Sequence, residues 1–386
     1  MSRLLLRCAV VGIALALVFA GTYAGAQTRV KAGETRAYSA GTPHPYPVGN
    51  ENRPVVWSDT VTSPGAAWLR IHFTGFDLAK GDFVTIRGPK GEIHRYEGKG
   101  PYGNGEFWSF STDGDTAEVR IHGGRSLGQG YTIDKVGHGM LPGDQPALEV
   151  ICGTDGRKDV ACYTAPPKTT FNPMARLLFL DAGTWYVCTG SLVPGSNANT
   201  LITNNHCISN QTVTSTLEAA FNYQIKTCKK TTLETVTVYN GGTFLHTSSV
   251  DGGYDYTLVT LLGNPAATWG MLTPTTLKPG AGSVMLFPQH PGGGIKKLGK
   301  FEDKLQKTLC TVYSINQTYG TSAPNSQFNY GCDSEGGSSG SPILNSGGTR
   351  MWGLHHYGGV TSCSNSATHL NLICQDAGAL LSCVSN

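Results

Sequence analysis

The chain has 386 residues, of which only 14% are charged, and a formal net charge of +3. That balance is too weak for a phosphate-binding surface, and no basic cluster with interleaved aromatic residues occurs, so nucleic acid is not an implied partner. Beyond the first 26 residues no segment is long and apolar enough to span a bilayer, which excludes a membrane partner once those residues are removed.

Residues 1–26 read as a secretory signal peptide. Arg3 and Arg7 flank a leucine cluster, an apolar run extends from Ala9 to Ala20, and Ala24 and Ala26 form an A-x-A site, so cleavage is expected after Ala26. The mature chain is then exported, to the extracellular space or the periplasm. About 360 residues remain, enough for two domains by the length prior. Setting aside Cys8, the 11 cysteines leave ten, all between Cys152 and Cys383. In an exported chain an even number of cysteines reads as disulfides, here five. No C-x-x-C pair is present, so no metal is expected.

The cysteine-free stretch alternates apolar and polar residues in short runs. "AAWLRIHFTGF" is one such strand. "DFVTIRGPKGEIHRYEG" is two strands around Gly88-Pro89-Lys90-Gly91, and "GEFWSFSTDGDTAEVRIHGG" two more around Asp113-Gly114-Asp115. Short strands with regular turns predict a β-sandwich over residues 27–146, ending in a linker from Gly137 to Pro146. Such a domain is either a propeptide, later removed, or a retained module that binds polymer or cell surface. Residues 147–386 are strand-rich as well, with one short helix candidate in "CQDAGALLSCV". That pattern fits a closed pair of β-barrels better than an open α/β sheet, so the whole chain is expected to be all-β.

The stretch "CDSEGGSSGSPIL", Cys332 to Leu344, carries the chemistry. Gly336-x-Ser338-x-Gly340 matches the nucleophile elbow of α/β-hydrolases, the signature of a secreted esterase, but that elbow needs a strand–turn–helix context. The residues that follow, "PILNSGGTRMWGLHHYGG", read as strand, turn and strand. The overlapping Gly337-Ser338-Ser339-Gly340-Ser341-Pro342 resembles the G-x-S-G-[GS]-P motif of chymotrypsin-like serine peptidases and makes Ser339 the nucleophile. A turn bare of side chains lets the N–H groups of Gly337 and Ser339 converge where an oxyanion forms.

A nucleophilic serine needs a base, and the base an orienting carboxylate. His206 ends an apolar strand beside Cys207 and resembles the family's A-x-H-C site. Asp255 opens the alternating "YTLVTL" run and resembles its D-[FIY]-[TA]-L motif, whereas Asp251 sits in a Gly-Gly turn where aspartate needs no catalytic reason. By this resemblance the fold is a two-barrel chymotrypsin-like protease over residues 147–386. Its expected reaction is hydrolysis of peptide bonds in protein or peptide substrates, by a monomer without cofactor.

The likeness is greatest to secreted bacterial lysyl endopeptidases and their glutamyl-specific relatives, through "CGTDGRKDVAC", "CTGSLV", "FNYQIKTC", "GGSSGSP" and "GGVTSCS". It implies the disulfides Cys152–Cys363, Cys162–Cys228 and Cys188–Cys207. Cys310–Cys332 would then close the loop before the nucleophile, leaving Cys374 with Cys383. It further implies a substrate-binding strand around Tyr357 and Gly358.

Two departures stand out. Ser338 occupies the place of the aspartate that pairs with a new N-terminus in digestive relatives, so maturation by that switch is not expected. The residue preference has two cues: Asp333, at the position of a pocket aspartate for basic residues, and His355, matching a carboxylate-binding histidine of glutamyl endopeptidases. Basic residues are slightly favoured. A rival reading from another class is a non-catalytic secreted binding protein with a protease-like body.

Overall fold

Strict alternation makes strands wherever one face can be buried. Thr116–His122 shows this plainly, with Ala117, Val119 and Ile121 buried and the residues between them half-buried. The computed structural model describes residues 29–49, 54–123, 127–141, 151–361 and 363–385. The expected signal peptide, residues 142–146 of the expected linker and residues 147–150 of the expected second domain lie outside the described residues.

The N-terminal part is a two-layer sandwich. One sheet orders Val30–Gly41, Gly130–Gly139, Trp68–Asp77 and Phe107–Trp108, and the other Val55–Thr62, Thr116–His122, Phe83–Arg87 and Ile93–Glu97. Phe73, Phe76, Phe107 and Tyr131 meet between the layers with ring centroids 5.0–6.3 Å apart. The glycines of "GHG", Gly137 to Gly139, belong to a strand and not to a linker. A Cβ on Gly137 would lie 2.8 Å from Trp185 Nε1, and one on Gly139 would collide with the Trp68 ring. Glycine is required here as a flat seat for tryptophan, a reason that composition does not reveal.

The cysteine-bearing part forms two closed barrels. In the first, Met174–Asp181, Glu218–Phe221, Thr237–Ser248, Tyr256–Leu261, Thr200–Thr203 and Thr184–Leu192 pair in turn, and Met174–Asp181 closes the ring onto Thr184–Leu192. In the second, the order is Met285–Gln289, Pro342–Asn345, Met351–Thr361, Ser364–His369, Gln327–Tyr330 and Val312–Gln317. The last approaches the first where Met285 N–H donates to Cys310 O and Val312 N–H to Ser283 O, each at 3.0 Å. The helix Leu370–Ala377 covers one end. Ile202, Leu258, Leu286, Leu344 and Leu354 fill the seam between the barrels.

Sandwich and first barrel share a sheet, because Val30–Glu34 pairs antiparallel with Thr184–Val187. Trp185 is fully buried at this junction, with Trp68 and Trp108 edge-on to it at 5.7 and 4.9 Å. The buried Arg70 guanidinium stacks on Trp185 at 4.7 Å, and its Nη1 donates to Thr216 O at 2.7 Å. Glu218 of the barrel accepts from the Ser111 N–H at 2.6 Å and the Ser111 hydroxyl at 2.7 Å.

Candidate active site

His206 and Asp255 meet at the barrel seam, and Ser339 lies in a turn anchored to the strand that carries Cys188. His206 follows Thr200–Thr203, and its neighbour Cys207 is disulfide-bonded to Cys188 on Thr184–Leu192. Its Nδ1 lies 2.8 Å from Asp255 Oδ2, and its backbone N–H donates to Asp255 Oδ1 at 3.0 Å. Asp255 is fully buried just before Tyr256–Leu261 and has φ +49°, a conformation that few residues other than glycine adopt. Asn204 Nδ2 holds it there by donating to its carbonyl at 2.7 Å. Asp251, the discarded candidate, is exposed and bonded to Thr321 Oγ1.

Burial alone would push the Asp255 carboxyl upward. The charge and hydrogen bond of His206, with a further contribution from His356, outweigh it and hold Asp255 below the ordinary carboxylate range. His356 is the partner that sequence reasoning missed. Its Nδ1 lies 3.3 Å from Asp255 Oδ2 and its Nε2 2.9 Å from Gln327 Oε1. The signal was present in the pair His355-His356, because adjacent residues of a strand face opposite sides. One histidine therefore points to the Asp255 side. The other, His355, is buried against Phe287 with Nδ1 2.6 Å from the Tyr330 hydroxyl.

Ser339 lies in a turn whose flanking Gly337 and Gly340 have φ +94° and +84°. A Cβ on Gly337 would come within 2.7 Å of Gly293 N, and one on Gly340 would strike Thr189 O. Thr189 N–H donates to Ser339 O at 2.8 Å, and Thr189 adjoins Cys188. One strand thus anchors the Ser339 backbone at Thr189 and the His206 loop at Cys188. Ser339 is 5% exposed. Among the described residues the N–H groups of Gly337 and Ser339 have no hydrogen-bond acceptor.

The turn is stiffened from below. Ser338 Oγ donates to Gln289 Oε1 at 2.7 Å, and Gln289 Nε2 donates to Asp333 O at 2.9 Å. Neutral groups therefore occupy the place where an ion pair would otherwise order the loop. Asp333 is buried, with Oδ1 accepting from Cys152 N–H at 2.8 Å and Oδ2 from Gly156 N–H at 2.7 Å. Burial pushes its carboxyl up. Its carboxylate ties down the segment at Cys152. Arg157 of the same segment bonds Glu335 at 2.9 Å. Tyr357 is buried and Gly358 half-buried; past Leu354 the edge of Met351–Thr361 that faces Pro342–Asn345 has no strand partner among the described residues.

The strand Pro342–Asn345 follows Ser339 where an α/β-hydrolase requires a helix, which overturns the esterase alternative. Disulfides join Cys152–Cys363, Cys162–Cys228, Cys188–Cys207, Cys310–Cys332 and Cys374–Cys383. Cys188, His206 and Cys207 lie close together, but both sulfurs are committed to one disulfide, so they form no metal site.

The family model of the lysyl endopeptidase C-terminal domain matches residues 154–372, more than half of the chain. The chain belongs to the lysyl endopeptidase family. Its fold and family point to a peptidase of the serine-protease type, which implies proteins or peptides as substrates. It is also 31% identical over 333 residues to the secreted RxLR effector protein 73 of Plasmopara viticola, a match that covers 80% of this chain and 78% of the relative. Among solved structures it resembles a Glu endopeptidase in complex with MPD, at 20% identity and a TM-score of 0.41, covering 57% of this chain and 94% of that one. The protease Anisep of Arthrobacter nicotinovorans is similar at 16% identity and a TM-score of 0.41, covering 58% and 99%.

Protonation couples to stability in this lysyl endopeptidase relative. His94, His290, His356 and His369 are all shifted toward the neutral form, chiefly by burial, and His369 falls to about 4. A folded value below the unfolded 6.5 means that the unfolded chain takes up protons first as pH falls, so stability is lost between about pH 6.5 and 4. Asp255, also held below its unfolded value, has the same sign but acts at lower pH. Its contribution is present above the ordinary carboxylate value and persists through this window. Thermal unfolding at about pH 7 and pH 4.5 should show a lower Tm in acid; an unchanged Tm would contradict the burial argument.

Proposed function

We propose that the chain is an exported serine endopeptidase that cleaves peptide bonds through an acyl-enzyme. The observation that carries this is the 2.8 Å contact of His206 with buried Asp255, beside a serine turn whose two N–H groups lack acceptors among the described residues. Ser339 Oγ attacks the scissile carbonyl and His206 Nε2 takes its proton, later giving it to the leaving amine. Asp255 fixes the His206 tautomer and stabilises the imidazolium. Gly337 and Ser339 N–H stabilise the oxyanion. The Ser339–His206 hydrogen bond closes as substrate settles, as such bonds commonly do. The open edge near Tyr357 and Gly358 takes the acyl side of the substrate as an added strand.

Family membership favours basic residues before the cleaved bond. Asp333 gives that preference no support, since backbone N–H groups engage both of its oxygens. His355 is the group that would favour acidic residues. Cleavage profiling with a peptide library decides between the two. Export is supported by the five disulfides, by the leader pattern and by the secreted relative.

The second reading, a non-catalytic binding protein, draws on that relative, whose name describes an effector. A fluorophosphonate separates the two. It should attach to Ser339 of the secreted protein, and a chain that takes no label is the binding protein.

A further inference from the structure

Between the sandwich and the first barrel lies a cleft of about 890 Å³. Its inner end is Glu335 and Gly336, immediately before the serine turn, and Gly292 to Gly294, of which Gly292 N–H donates to Gly336 O at 2.6 Å. Its outer walls carry Ile93 and Leu141 of the sandwich and Leu233 of the barrel, which are 51%, 60% and 39% exposed. Three of the large apolar side chains left exposed therefore face this one cleft. Its rim is charged in both signs, with Lys90 and Asp113 paired at 2.9 Å, so it selects no net charge.

We propose that the sandwich stays with the protease, and that this cleft binds the leaving-group side of an extended polypeptide substrate with apolar residues beyond the scissile bond. The proposal rests on the catalytic reading above. Two observations carry it. First, the cleft abuts the oxyanion turn, yet none of Tyr357, Gly358 or Gly359 lines it. It is therefore distinct from the strand proposed to take the acyl side. Second, the domain junction is built as a core. Releasing the sandwich would expose Trp185 and strip Glu218 of both its Ser111 donors, a large loss of buried apolar area and satisfied charge. Among the described residues no hydrogen bond from the sandwich reaches His206 or Ser339, so hydrogen bonding does not hold it over the site.

The test uses the full secreted protein and two substrates with the same acyl side. One ends in a chromogenic anilide, and the other continues past the scissile bond with several leucines and isoleucines. Ile93→Asp and Leu141→Asp should each lower the ratio of kcat/KM for the extended peptide over the anilide by about tenfold, as expected for losing one buried aliphatic contact. Leu305→Asp, exposed and outside the cleft, should leave the ratio within about twofold. Intact mass of the active species should include the sandwich. An unmoved ratio in both cleft variants, or an active species that begins beyond Leu141, overturns the proposal alone. A wild-type chain that turns over neither substrate overturns the catalytic reading and this one with it.

Discussion

Ser339→Ala should lower peptide turnover by about 10⁴–10⁶-fold, as for other triads that lose their nucleophile. Folding should be intact, because the turn is held by contacts that the hydroxyl does not make. Thr189 N–H bonds the Ser339 carbonyl, and the flanking glycines supply the positive φ angles. KM should change little if substrate is bound by backbone pairing and pocket contacts. Ser338→Ala is the informative control. It removes the bond to Gln289 Oε1 and leaves that buried acceptor unpaired, a stability cost of about 1–3 kcal/mol, while the attacking oxygen remains. Measuring kcat and Tm for both variants separates the roles. If Ser338→Ala abolished turnover and Ser339→Ala stayed active, the assignment of the nucleophile would be wrong.

Asp255→Asn should cost about 10⁴-fold in kcat, and the local geometry says why an amide cannot replace the carboxylate. Oδ1 accepts from the His206 backbone N–H and Oδ2 faces His206 Nδ1. The backbone group is always a donor, whereas the ring nitrogen can switch. The amide oxygen would therefore take the backbone N–H, and the amide nitrogen would face Nδ1 and select the tautomer that cannot act as base. A loss of less than about tenfold would show that His206 is oriented by something other than Asp255. The structure of the variant should retain the disulfide Cys188–Cys207, which holds the histidine loop independently.

The location of the candidate site was legible because its parts are local. Glycines beside a serine, a histidine beside a bridged cysteine, and an aspartate opening an alternating strand each carry their own short-range signature. The sandwich strands were legible for the same reason, since period-two alternation is visible in a handful of residues. The "GHG" segment was misread because the function of its glycines lies across the molecule, under Trp185 and Trp68. Position left Asp333 open between a pocket acid and a structural residue, because its hydrogen bonds depend on where Cys152 and Gly156 come to rest.

By itself the sequence determined the all-β class and singled out the three residues proposed as the triad, through periodicity and short motifs. Only the tertiary structure decided that His356 stands behind Asp255, that Asp333 is spent on backbone, and that sandwich and barrel share one sheet around Trp185. Each of these depends on contacts between residues far apart in the chain. Strand pairing and burial set such contacts for the whole fold at once, and no local pattern of side chains encodes them.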